Sequence, residues 1–145
     1  MSQGPGKDWV HETTFGGKAK DFWWKVDDAC NLYITRPMAI HSTTTIPREE
    51  LDRLDQYMSE GEWKGLANNV EKLHNGTEVP GIGRFLHDEL TWPVADALLA
   101  SHLAVIFSNA GAWSYNGKRR GIELRRIAED RQETLKRYYT NSTQS

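Results

Sequence analysis

The chain predicts an α+β fold: a β-hairpin near the N-terminus, a helical middle, a second hairpin and a terminal helix. Three observations carry that prediction. Two short β-rich runs, Phe22–Val26 and Leu32–Thr35, flank the turn-forming segment Asp27-Asp28-Ala29-Cys30-Asn31. Apolar residues recur at helical spacing through Leu51–Met58 and again through Val94–Phe107. Asn116-Gly117, between Tyr115 and Lys118, suits a two-residue type I′ turn because both residues accept positive φ.

Each element has its own local reason. Residues 1–20 carry Gly4, Pro5, Gly6, Gly16 and Gly17 with no sustained period, so they predict a loose arm, pinned at most by Trp9 and Phe15. The folded core is expected over residues 21–139. After the first hairpin Pro37 interrupts, and Met38-Ala39-Ile40 continues as an edge strand. His41 to Thr45 leads into Pro47-Arg48-Glu49-Glu50, a helix start whose acids sit where the dipole favours them. Leu51, Leu54 and Met58 form that helix's stripe and Gly61 ends it. A second helix is predicted over Glu62–Asn75, with Trp63, Leu66, Val70 and Leu73 on one face. A third covers Ile82–Leu90 after Pro80-Gly81. Thr91 as cap and Pro93 in the first turn open one long apolar helix to Asn109, which Gly111 stops. The two-residue turn then sets Tyr115 opposite Lys118, Ser114 opposite Arg119 and Trp113 opposite Arg120, with Trp113 stacked on Arg120. Ala128–Tyr139 reads as a terminal helix with Glu133 placed to pair with Arg137, and 140–145 as a polar tail.

At 145 residues the chain is one domain with enough length for a core, and no internal repeat is present. A net charge of −2 excludes a generally basic protein, so any nucleic-acid surface must be a local patch. Such a patch exists: Lys118 to Arg137 holds eight of the eighteen Lys and Arg residues against four acids. Residues 45–90 lean the other way. Cys30 is alone, which leaves no disulfide framework and no cysteine metal site. The polar, Gly-rich start lacks a signal-peptide pattern, and no stretch suits a membrane span, so a cytoplasmic location is expected.

No catalytic constellation, cofactor motif or metal site stands out. His41 beside Ser42 is an adjacent pair, a poor geometry for base and nucleophile. Successive residues His87, Asp88 and Glu89 point in different directions on a helix and do not chelate one ion. Glu62-Trp63-Lys64 has Glu-x-Lys spacing but opens a helix in this reading. Gly81-Ile82-Gly83-Arg84 lacks the third glycine of a phosphate loop, and its glycines serve as turn and helix entry.

Helix Ile82–Leu90, helix Pro93–Asn109 and the Lys118-Arg119-Arg120 hairpin together resemble the closing half of a winged-helix domain, a pattern extending over Pro47–Ile127. The resemblance implies a helix-turn-helix followed by a wing that meets nucleic-acid phosphates through Lys118, Arg119, Arg120, Arg125 and Arg126, with Trp113 and Tyr115 bracing the surface. The third helix offers Asp96, Ser101 and His102 in place of the Arg, Lys, Asn or Gln that read base edges, so direct readout is not implied. Since winged helices also dock proteins, a protein partner or a homodimer using Trp-rich surfaces is the alternative expectation. A third is a small-ligand or enzyme pocket between the Trp23-Trp24 region and the helices, containing His41 or His87.

Overall fold

A computed structural model of the chain describes residues 5–37 and 42–143. Its class is α+β, with antiparallel sheets, an N-terminal hairpin and a C-terminal helix. The predicted first hairpin is the centre of a larger sheet. Strands β1 (Val10–Thr13), β2 (Asp21–Val26), β3 (Leu32–Arg36) and β4 (Ser42–Ile46) form a four-stranded antiparallel meander in chain order. Trp24 is paired with Val10 on one side and Ile34 on the other.

Val10–Thr13 is therefore not part of a loose arm. The strand has one buried apolar residue, Val10, so alternation could not reveal it. What holds it is remote: Glu12 accepts hydrogen bonds from Trp24 Nε1 (3.3 Å), Asn109 Nδ2 (3.1 Å) and the Tyr138 hydroxyl (3.0 Å). β4 likewise occupies the threonine run read as a connector; β-branched residues suit a strand once an edge is available to pair with. Met38-Ala39-Ile40 and His41 lie outside the described residues.

Helix α1 (Arg48–Met58) buries Leu51, Leu54 and Met58, as the stripe predicts. The helix expected over Glu62–Asn75 does not form as one piece. It divides into β5 (Lys64–Gly65), an irregular segment, and α2 (Val70–Asn75), with the Asn69 side chain accepting from Lys72 N at 3.1 Å as an N-cap. Trp63 and Val70, expected inward, are 40% and 43% exposed. The next helix, α3 (Ile82–Asp88), packs so closely on this segment that a Cβ on Gly83 would lie 2.5 Å from the Ala67 carbonyl oxygen. Gly83 N donates to Leu66 O at 2.7 Å across the same contact, so beyond the turn and helix entry expected of them these glycines permit a close approach of two segments.

The long apolar helix is broken into α4 (Val94–Ala97) and α5 (Ala100–Ala110). Leu99 N bonds to Asp96 O and His102 N to Leu99 O, both at 2.9 Å, so the chain tightens to three-residue spacing between them. Thr91 does not cap; its φ is +59° and its hydroxyl donates to Leu90 O, leaving Pro93 at the cap position. Gly111 ends α5 at φ +87°, as predicted. Strands β6 (Trp113–Tyr115) and β7 (Glu123–Arg126) complete a second sheet in the order β5-β7-β6. Helix α6 (Arg131–Thr143) takes in most of the segment read as a tail, and Arg137 pairs with Glu133 at 3.2 Å as expected.

One cluster of buried residues joins both sheets. On β2, Phe22 meets the His102 ring of α5 edge-on at 4.8 Å, and Trp24 lies 5.8 Å from the Tyr138 ring of α6. Trp23, Trp24, Trp92 and Trp113 are buried, so the expected Trp-rich surface reduces chiefly to Trp63. Among the described residues no helix is long and apolar enough to cross a membrane.

Candidate nucleic-acid interface

The β6–β7 connection is a hairpin, but not the tight one predicted. Tyr115 stands opposite Leu124, Ser114 opposite Arg125 and Trp113 opposite Arg126, which leaves residues 116–122 as a broad loop. Asn116 organises it. Its amide N–H donates to Glu123 O (3.1 Å), its side-chain Nδ2 to Gly121 O (2.9 Å), and its Oδ1 accepts from Lys118 N (3.2 Å). The Tyr115 hydroxyl donates to Lys118 O, closing the loop from the other side. Burial explains the register. Trp113 is 2% exposed and Leu124 fully buried, so a two-residue turn would have drawn Arg120 onto the Trp113 face without a counter-ion. The wider loop keeps the cations in water and turns Ile122 and Leu124 inward.

The basic residues of this region then divide. Lys118, Arg119 and Arg120 are exposed at the loop, and Arg125 is exposed on β7 with its guanidinium 5.1 Å from the Trp63 ring centroid. None of the four has an ion-pair partner among the described residues. Arg126, expected in the same surface, is instead held by Asp55 at 3.1 Å beneath α1. Trp113 packs on Phe107 at 4.8 Å and has no face for a ligand, so the Trp113–Arg120 stack does not exist. Tyr115 is half-buried and stacked on Phe15 at 3.9 Å, bracing the loop.

Beside the loop runs an open groove of about 910 Å³. It is lined by Leu66–Asn69, Lys72, Lys118 and Arg119. Glu78 also lines it, yet its carboxylate is already engaged: Oε2 accepts from Asn69 N at 2.8 Å and Oε1 from Val79 N at 2.9 Å. Glu123 lines the groove as well, so its lining holds three cations and two carboxylates.

Helix α5 presents nothing comparable. His102 through Phe107 are all buried, and α5 packs against β1, β6, α3 and α6. Ser101 is occupied within the fold, donating to Leu98 O at 3.0 Å. A helix covered on so many sides has no face left to enter a groove of nucleic acid.

His87 is a structural residue, its Nδ1 2.7 Å from the Trp92 carbonyl oxygen; Asp88 turns away to Arg84 at 3.1 Å. Lys64 of the Glu62-Trp63-Lys64 run lies on β5 and is buried, paired with Glu60 at 3.3 Å and 4.3 Å from the Tyr57 ring centroid. No cavity among the described residues is lined by Trp23, Trp24 or His87; a different one lies beside the first sheet and α5, lined by His102, Arg36, Lys18 and Lys20. The sequence did carry a signal there: His102 interrupts an otherwise apolar helical run. No protein-family model, no curated protein and no solved structure matches this chain.

Proposed function

We propose that the chain is a winged-helix-like protein that binds nucleic acid by phosphate contacts from the loop between β6 and β7. One observation carries the reading: Lys118, Arg119, Arg120 and Arg125 are exposed and without an ion-pair partner among the described residues, on a segment whose other arginines are neutralised. The succession of α3, α4–α5 and the β6–β7 hairpin supports it, being the order in which a helix-turn-helix and its wing follow. The groove lined by Leu66–Asn69, Lys72, Lys118 and Arg119 offers a strand a place beside the loop. With α5 covered, the contacts position a backbone and leave base edges unread, so binding tolerates sequence changes. The reading implies a compartment that holds nucleic acid, as the cytoplasm does.

Fluorescence anisotropy of a labelled duplex at 50 and 200 mM salt tests it. Four phosphate contacts release counterions with a log–log slope of about −3.6, a loss of roughly 100-fold across that range. Binding that ignores salt, or that survives in the Lys118→Ala/Arg119→Ala/Arg120→Ala variant, overturns the proposal. Weight would then pass to a protein partner at Trp63, the exposed aromatic residue beside Arg125.

A further inference from the structure

A second basic cluster lies apart from the loop. Residues 14–20 turn over the start of β2 towards α5 and leave a cavity of about 760 Å³. Its wall includes Phe15, Lys18, Lys20, Asp21, Arg36 and His102. This size suits a small organic ligand.

Three features mark it as more than a surface hollow. Lys18, Lys20 and Arg36 face one carboxylate, Asp21, which is already 2.8 Å from His11 Nε2. Arg36 Nε is buried with no hydrogen-bond partner among the described residues. His102 is 7% exposed, and its Nδ1 is also buried without a well-formed hydrogen bond. Unsatisfied buried nitrogens are costly, and two of them beside uncompensated cations form a wall that an anionic acceptor would complete. Burial first, then Arg36 and Lys20, holds the His102 pKa down to about 4, while the Leu98 carbonyl pulls weakly the other way. The ring is therefore neutral at pH 7, and the positive charge of the cavity rests on the other three side chains.

We propose that this cavity binds the phosphate monoester of a small organic ligand. A monoester carries about −1.5 to −2 at pH 7, matching the surplus of roughly two positive charges left by three cations and Asp21. A phosphodiester, with a single charge, would leave part of that surplus uncompensated. Phe15, stacked on Tyr115, supplies an apolar wall for the organic part. The proposal stands apart from the loop reading, because Lys118, Arg119 and Arg120 do not line this cavity.

The test is a titration of isotope-labelled protein with inorganic phosphate and, separately, adenosine monophosphate, following the His102 ring and Arg36 Nε resonances. Saturable shifts at both residues are expected, with tighter binding of the nucleotide and an upward move of the His102 pKa as the anion offsets Arg36 and Lys20. The double variant Lys18→Gln/Lys20→Gln changes exposed residues and should keep the melting curve, yet weaken binding roughly tenfold. The loop triple variant should bind adenosine monophosphate as the parent does, which separates this site from the proposed nucleic-acid surface. Absence of saturable shifts with either probe, or an affinity indifferent to the double variant, overturns the assignment. Competition by oligonucleotides identifies the source of the monoester. A 5′-phosphorylated strand that displaces the probe, where its 5′-hydroxyl counterpart does not, makes the ligand a strand end. Displacement by neither makes it a free metabolite-sized monoester, and equal displacement by both refutes monoester recognition.

Discussion

Two groups of basic residues less than twenty positions apart meet opposite fates. At the loop, Lys118, Arg119 and Arg120 stand exposed and form no ion pair among the described residues. At the base of the same hairpin Arg126 is held by Asp55, and Arg131, 4% exposed, is held by Asp52. The base cluster belongs to folding: it ties α1 to β7 and to the first turn of α6. Removing one partner there would strand a charge in a poor solvent. The loop cluster contributes little to folding, since exposed charges without partners have nothing to lose. A run of positive charge in a sequence is thus not one property. Its residues divide according to which of them the fold supplies with an acid.

The strongest way to break this comparison is at the base. Asp52→Ala should destabilise the protein by about 3 kcal/mol, read from urea unfolding, because it leaves the buried Arg131 without its partner, whereas Arg131→Met should cost much less because it fills the site without a charge. A parental midpoint in the alanine variant would mean that the buried cluster is not structural.

His102 extends the comparison to a third basic group. Its folded pKa of about 4 lies below the ordinary histidine value of 6.5, so the folded state binds fewer protons than the unfolded one. The stability concerned is complete above pH 6.5 and is lost as pH falls towards 4, by about 3 kcal/mol over that window. His102→Phe, which keeps a ring against Phe22, should flatten the pH dependence there. An equally steep acid transition in that variant would assign it to other groups.

The loop sharpens the contrast from the other side. The triple alanine variant should unfold within about 0.5 kcal/mol of the parent while its duplex binding is lost. A large stability loss would place these residues with the base cluster. The smallest effect is expected at the platform under Arg125. Trp63→Ala removes a cation–π contact worth about 0.5–1 kcal/mol at an exposed site, and should weaken duplex binding by only a few fold.

How far these assignments were readable before the fold depends on the reach of the interaction. The stripe Leu51, Leu54 and Met58, the stop at Gly111 and the Glu133–Arg137 pair are local in sequence and appear as read. Gly81 and Gly83 were legible as turn and helix-entry residues, but not their close packing on Ala67 and Leu66. β1 and β5 were not legible, because their pairing belongs to β2 and β7, strands that supply an edge from elsewhere in the chain. The hairpin register failed for a related reason. Asn116-Gly117 satisfies a two-residue turn locally, but burial of Trp113 and Leu124 is decided by α5 and the second sheet, and that burial outweighs turn preference. Of the candidate site, Lys118, Arg119, Arg120 and Arg125 could be named from composition, whereas the capture of Arg126 by Asp55 required α1 and β7 to be seen side by side.

By itself the sequence determined the α+β class, the first two central strands, the helix whose stripe is Leu51, Leu54 and Met58, and the concentration of charge near residue 120. These rest on propensity, periodicity and composition, which act over a few residues. Only the tertiary structure decided which arginines remain available, which tryptophans face water, and that His102 meets Arg36 and Lys20 in one cavity. Those outcomes depend on contacts between residues 60 to 80 positions apart, where the desolvation of each charge is set by neighbours that no local pattern names.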